Sequence, residues 1–174
     1  MDTAWIESLD RSPLGTIWIA LSERGLVAVE IGATQEEFSQ YVESLGFGQI
    51  TLDATLLATP VRQIGEYLAG QRRLFDIPID WFVMTSFQER VLRVTYVIPY
   101  GETTTYGDIA RQIDKPRAAR AVGRAQATNP MPLVIPCHRV VGADGGLHGY
   151  GAPGGLETKA WLLQLEGALG ESPG

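Results

Sequence analysis

The residues before and after position 86 follow two different patterns, and no single regular architecture accommodates both. In PLGTIWIALSERGLVAVEIG, the runs Thr16 to Leu21 and Leu26 to Ile31 are rich in β-branched and aromatic residues. The polar stretch Ser22-Glu23-Arg24-Gly25 joins them, which predicts a hairpin. Thr34 then opens TQEEFSQYVESLG, where a Thr cap, two early glutamates and apolar Phe38, Tyr41, Val42 and Leu45 predict an amphipathic helix ended by Gly46. Pro60 starts a second helix, PVRQIGEYLAGQ, with Val61, Ile64 and Leu68 on one stripe. LFDIPIDWFVMT, interrupted by Pro78, reads as an edge strand leading into a linker. From Ser86 the character changes: SFQERVLRVTYVIPYG is a helix stopped by Pro99, followed by short helices and loops rich in Gly and Pro. The boundary falls near residues 80 to 86. It divides an α+β chain into an N-terminal α/β domain, 1–82, and a mainly helical C-terminal domain, 83–174.

Composition narrows the function classes. With 45% apolar and 20% charged residues, the 174-residue chain has the make-up of a soluble globular protein. No apolar stretch reaches the ~20 residues needed to cross a bilayer, and MDTAWIESLD lacks the basic-then-apolar pattern of an export signal, so a cytoplasmic protein is expected. One cysteine and two histidines exclude an internal disulfide and a cysteine-rich zinc site, and no cofactor motif is visible. The net charge of −6 argues against a partner held by bulk electrostatics, such as nucleic acid, unless the positive charge is local.

Residues 103 to 129 supply such a locality. Thr105-Tyr106-Gly107-Asp108 is a capping box in which Asp108 replaces the usual Glu, and it opens a short helix with Tyr106, Ile109, Ala110 and Ile113 on one face. After the turn DKPR, a second helix places Ala118, Ala121, Val122 and Ala125 on one side and Arg120, Gly123, Arg124 and Ala127 on the other. Two readings stand for this pair. It is either a helix-turn-helix whose small residues and arginines approach a nucleic-acid groove, or an ordinary packed pair with solvated arginines.

VIPCHRVVG holds the lone thiol, Cys137, beside His138. A lone cysteine is commonly a small buried hydrophobe, and the flanking valines and isoleucine would suit a core strand. Pro130, Pro132 and Pro136 argue instead for a rigid edge or loop, and His138 and Arg139 set a base and a cation beside the sulfur. Successive strand residues face opposite ways, so the two side chains meet only if the backbone turns or a water relays the proton. A histidine acting as base also needs a partner for its other ring nitrogen. In GLETKAWLLQLEG, a helical projection from Leu156 puts Ala160, Leu162 and Leu163 on an apolar arc that also contains Glu166. Glu166 is either the orienter of His138 or a solvated last-turn residue.

These residues resemble the O6-alkylguanine-DNA alkyltransferases, the suicidal methylated-DNA–protein-cysteine methyltransferases. The resemblance runs over SPLGTIWIA, FQERVL, IPYGETTTYGDIA, RAARAVGRA, NPMPLVIPCHRVVG and GGLETKAWLLQLEG, nearly the whole chain. It implies a ribonuclease-H-like N-terminal domain without nuclease activity. It also implies a winged-helix-like C-terminal domain whose helix-turn-helix binds double-stranded DNA in the minor groove. Arg120 would fill the space left by a flipped-out base, with Ala121, Gly123, Arg124 and Thr105 along the same DNA face. Cys137 would take the alkyl group of O6-alkylguanine, and of O4-alkylthymine, irreversibly. His138 would accept the thiol proton through water, oriented by Glu166. Tyr106 would donate toward the departing guanine, and Asn129 would tie the recognition helix to the active-site turn. The backbone carbonyls of Cys137 and Val140 would read the guanine amino group, with Pro132, Tyr150 and Gly151 lining the pocket. The resemblance implies no cofactor, no metal, no obligate protein partner and a monomer.

Two departures and two competing classes accompany this reading. MTSFQ stands where many members have GTPFQ, and GYGAPGGLETK carries about two more residues than the common family form, including Pro153, in a loop that helps form the pocket. Alkyltransferase-like proteins without the reactive cysteine only flag lesions, and a cysteine hydrolase would use Cys137 and His138 with turnover. The intact PCHRV favours transfer.

Overall fold

The computed structural model describes residues 2–150, 152 and 154–169. It separates into two compact units, Met1–Val83 and Met84–Gly174.

The first unit is built on a four-stranded sheet. The hairpin expected from the two apolar runs is present as β2 (Ile17–Ser22) and β3 (Gly25–Ile31). Two strands that the patterning did not reveal complete the sheet: β1 (Thr3–Leu9), antiparallel to β2, and β4 (Gln49–Leu52), parallel to β1, in the order β3-β2-β1-β4. Helix α1 (Gln35–Ser44) begins as predicted with a reciprocal capping box between Thr34 and Glu37. Its Phe38 and Val42 pack on Ala4, Ile6, Trp18, Ala20 and Val27 of the sheet. Helix α2 (Ala58–Leu68) starts two residues before Pro60.

The segment around Pro78 is not an edge strand. It makes one isolated bridge, Leu26↔Ile79, with the Leu26 N–H donating to the Pro78 carbonyl at 2.7 Å. Proline cannot donate to continue a ladder, and the chain passes so close to Gly25 that a Cβ there would lie 2.4 Å from the Pro78 oxygen.

The second unit is mainly helical. α3 (Ser86–Tyr96) is capped by Thr85, whose hydroxyl accepts the Gln88 N–H. α4 (Tyr106–Gln112) is capped by Thr105 and α5 (Ala119–Ala127) follows a tight turn. That turn closes as a Schellman motif: Asp114 takes φ 60°, and the N–H groups of Lys115 and Asp114 donate to the carbonyls of Ala110 and Arg111. Val91, Ile98, Ile109, Ala110, Ile113, Val122, Ala125 and Val140 form the core between these helices. Two short parallel strands, β5 (Thr104–Thr105) and β6 (Val140–Val141), join the start of α4 to the residues just after Cys137-His138-Arg139. α6 (Leu156–Leu165) closes the unit.

Candidate active site and nucleic-acid interface

The backbone at the thiol turns. Cys137–Arg139 form one 3-10 turn, with the Cys137 N–H on the Ile135 carbonyl at 2.8 Å and the Arg139 N–H on the Pro136 carbonyl at 2.9 Å. The approach is rigid: Leu133 holds φ 74°, and Asn129 spans the loop by accepting from the Met131 N–H and donating to the Ile135 carbonyl. An extended strand through VIPCHRVVG is therefore replaced by a turn that buries Cys137, His138 and Arg139 together.

Glu166 is buried, not solvated, although it is the C-cap of α6. Its Oε2 lies 2.8 Å from His138 Nε2. The helical projection from Leu156 needs correction, because Leu156 is 47% exposed while Thr158, Lys159, Leu162 and Leu163 are buried. The helix is rotated so that a lysine, rather than Leu156, enters the interior.

Lys159, and the pairing of Arg139 with Glu166, are what sequence patterning missed. Lys159 is fully buried, its Nζ 2.7 Å from the His148 carbonyl and 3.2 Å from Tyr106 Oη, and Tyr106 Oη itself donates to the same carbonyl at 3.1 Å. Burial lowers the lysine pKa to about 8, opposed by the Cys137 sulfur nearby. A lysine inside an apolar helix face was the available signal. Arg139 lies against Tyr100 and pairs with Glu166.

Burial sets the protonation of the thiol and its base. It raises Cys137, against the Asn129 amide, the Lys159 charge and the backbone N–H groups of Cys137 and His138, which pull it down. Burial lowers His138, against the pull of Glu166, with Arg139 and Lys159 adding repulsion. The resting pair is thus a thiol beside a neutral imidazole. Tyr106 is raised by burial and then by the nearby Cys137. Tyr150 is raised well above the ordinary phenol range by burial and by Cys137 and Glu166, and its buried hydroxyl has no hydrogen-bond partner among the described residues.

The structure therefore gathers Cys137, His138, Glu166, Asn129, Tyr106 and Tyr150 around one turn. Val140 is buried in β6, its N–H on the Cys137 carbonyl, and Pro132 is half-buried. Gly151, and with it Pro153 of the longer loop, lies outside the described residues.

On α5, Arg120 and Arg124 are exposed, and Ala121 is half-buried. Gly123 is half-buried, and a Cβ there would be in ordinary contact with the Tyr106 ring at 3.9 Å. Gln126, absent from the expected core face, is buried with its amide on Thr95 Oγ1. The Thr105 hydroxyl accepts the Asp108 N–H, and Asp108 pairs with Arg111. Between residues 111 and 124 stand five basic residues, all exposed, and one acid. The acidic excess lies elsewhere, because residues 1–83 carry twelve acids and five bases while 84–174 carry eight and nine. Among the described residues no helix is long and apolar enough to cross a membrane, and no group of three or more metal-ligating side chains is present.

A sheet domain followed by a helical domain, with one cysteine buried beside a histidine–carboxylate pair and a short basic helix pair, defines an α+β class of thiol-bearing, helix-turn-helix proteins. Residues 6–81 match the family model for the 6-O-methylguanine DNA methyltransferase, ribonuclease-like domain, and residues 86–168 match that for the 6-O-methylguanine DNA methyltransferase, DNA binding domain. The chain belongs to the 6-O-methylguanine DNA methyltransferase family. It is 39% identical over 160 residues to the methylated-DNA–protein-cysteine methyltransferase of Methanosarcina acetivorans, covering 90% of this chain and 95% of that protein. With the Mycolicibacterium paratuberculosis protein of the same name it shares 54% identity over 109 residues, 63% of this chain and 64% of the relative's length. A crystal structure of Mycobacterium tuberculosis OGT in complex with DNA superposes with a TM-score of 0.78 at 36% identity, covering 98% of this chain and 96% of that one. The expected α+β fold, with its α/β and helical halves, agrees with these matches.

Proposed function

We propose that this chain repairs DNA by direct reversal, moving the alkyl group of O6-alkylguanine irreversibly to Cys137. The observation that carries the reading is the buried Cys137 with His138 and Glu166 behind it, 2.8 Å apart, in a member of this family. The exposed basic stretch 111–124 supports double-stranded DNA as the partner, with α5 in the minor groove. Arg120 fills the stack after the lesion flips out, at a cost of a few kcal/mol that is smallest for a poorly paired base. Ala121, Gly123, Arg124 and Thr105 accompany it along the backbone.

In the reaction, the thiol proton passes through water to neutral His138, and the resulting imidazolium is stabilised by Glu166. The sulfur attacks the alkyl carbon in line. An S–C bond forms, the C–O6 bond breaks, and its electron pair returns to the guanine. Tyr106 gives a hydrogen bond or proton to that departing base, and the Lys159 ammonium, 3.2 Å away, supports the phenolic oxygen as it does so. The carbonyls of Cys137 and Val140 read the guanine amino group, with Pro132 and Tyr150 around the ring. Asn129 holds the turn. O4-alkylthymine is a second lesion within the same chemistry. The thioether is stable, so each chain acts once, without cofactor. A function that consumes a free thiol suits a reducing compartment such as the cytoplasm, and one chain suffices.

Incubation with duplex DNA containing O6-methylguanine adds one methyl group, stoichiometrically, to the peptide containing Cys137. Lesion binding with no mass change would replace transfer by lesion flagging. Repeated turnover of an ester would indicate a hydrolase.

A further inference from the structure

Among the described residues, two Arg139 nitrogens, the Gly101 N–H and His138 Nε2 reach the Glu166 carboxylate. Oε1 accepts from Arg139 Nε at 2.8 Å and from the Gly101 N–H at 3.3 Å, and Oε2 accepts from the Arg139 terminal nitrogen at 2.9 Å and faces His138 Nε2 at 2.8 Å. The guanidinium is itself held from two further sides. Its other terminal nitrogen donates to the Ile98 carbonyl at 2.6 Å, and its plane lies over Tyr100, whose hydroxyl donates to the Leu165 carbonyl at the end of α6. The arginine is 6% exposed and the carboxylate side chain is fully buried.

This arrangement constrains where the protons are. An arginine in a protein keeps its charge and has only donors, and an ionised carboxylate has only acceptors, with about four lone-pair sites. A carboxylate gripped bidentately by a guanidinium, with a backbone N–H added, stays ionised. The fourth contact must then be a donor, so the proton of neutral His138 sits on Nε2. The lone pair that can take another proton is left on Nδ1.

We propose that Arg139 is a positioning residue which, by fixing Glu166 as an acceptor, sets the tautomer and the basicity of His138, so that Nδ1 receives the Cys137 proton. This rests on the alkyl-transfer reading above. The charged and titratable groups facing His138 are Glu166 and Lys159 from α6, Arg139 from its own turn, and the Cys137 thiol; Tyr150 faces Cys137 and Glu166. Of these, Glu166 favours the imidazolium, while Arg139 and Lys159 oppose it. Removing Arg139 takes away one repulsive cation and two of the donors on Glu166. His138 then holds a proton to higher pH, and the proton-accepting form is reached only in more alkaline solution.

The test combines nitrogen-15 NMR of the two imidazoles, separated by a His148→Gln substitution, with single-turnover methyl transfer as a function of pH. In the native chain, His138 is expected to show the pattern of a neutral ring protonated at Nε2. In Arg139→Gln, it is expected to protonate at higher pH, and the rising limb of the transfer rate moves up by roughly half a pH unit or more. Arg139→Lys, which keeps the charge and loses the fork, is expected to restore part of the native profile. If Arg139→Gln does not fold, the Lys variant decides by the same two signals. Folded variants with native imidazole signals and an unchanged pH limb would overturn the proposal. So would a native His138 protonated at Nδ1. Absence of any methyl adduct on native Cys137 would defeat the transfer reading alone, because the NMR signals are read without substrate.

Discussion

Lys159 Nζ stands 3.2 Å from the phenolic oxygen of Tyr106, 53 residues away in sequence, and 5.6 Å from the centre of its ring. The pair links α6 to the first residue of α4 and brings a buried cation within electrostatic reach of Cys137. Its position has a cost that can be measured.

Because burial lowers Lys159 to about 8 from an ordinary 10.5, the unfolded chain binds more protons than the folded one between those values. Stability contributed by this site therefore rises as pH rises through about 8 and levels off above the unfolded value. Lys159→Met is expected to be more stable than the native chain near neutral pH and to lose that rise. Denaturant midpoints at about pH 7 and about pH 10 check it. The same variant is expected to transfer methyl groups more slowly, since the phenol and the sulfur both lose a positive neighbour.

Cys137 is expected to resist general thiol reagents. It is 6% exposed and its pKa is raised by burial, so little thiolate is present and little of it is reachable. Iodoacetamide at neutral pH is expected to label the folded chain about tenfold or more slowly than the unfolded chain. Equal rates would mean that the turn is open in solution.

Asn129 is expected to contribute to stability and to reactivity through different atoms. Its amide nitrogen donates to the buried Ile135 carbonyl, its oxygen takes the Met131 N–H, and its side chain favours ionisation of the Cys137 thiol. Asn129→Ala is expected to cost about 1–3 kcal/mol in equilibrium unfolding, because the buried groups lose partners. It is also expected to raise the pH at which Cys137 ionises, read by thiolate absorbance. A variant with native stability would show that the loop repacks without the amide.

Arg120 is exposed on the second residue of α5. Arg120→Ala is expected to slow repair of duplex O6-methylguanine by roughly tenfold or more, a share of the few kcal/mol that flipping costs. Reaction with a free O6-alkylated guanine base, which needs no flipping, is expected to change little. Equal losses on both substrates would remove the finger role.

Local chemistry made much of this protein legible from its residues alone. Thr34 with Glu37 and Thr105 with Asp108 mark helix starts because the capping hydroxyl and the N–H that it satisfies are three residues apart. The hairpin was visible because both of its runs and its turn are contiguous. The solitary thiol beside a histidine drew attention to Cys137 for the same reason: composition and adjacency are properties of the chain itself.

What tertiary structure decided is everything that depends on a partner far along the chain. β4 is short and three of its four residues are exposed, so no alternation marks it, and it is a strand only because β1 lies beside it. The rotation of α6 that exposes Leu156 and buries Lys159 is set by Tyr106 and the His148 carbonyl, not by helical periodicity. Glu166 could be read either as solvated or as paired until Arg139, His138 and Gly101 were seen to close on it. A buried charge is stable only with its counter-charges in place, and those are supplied by residues that sequence spacing does not bring together.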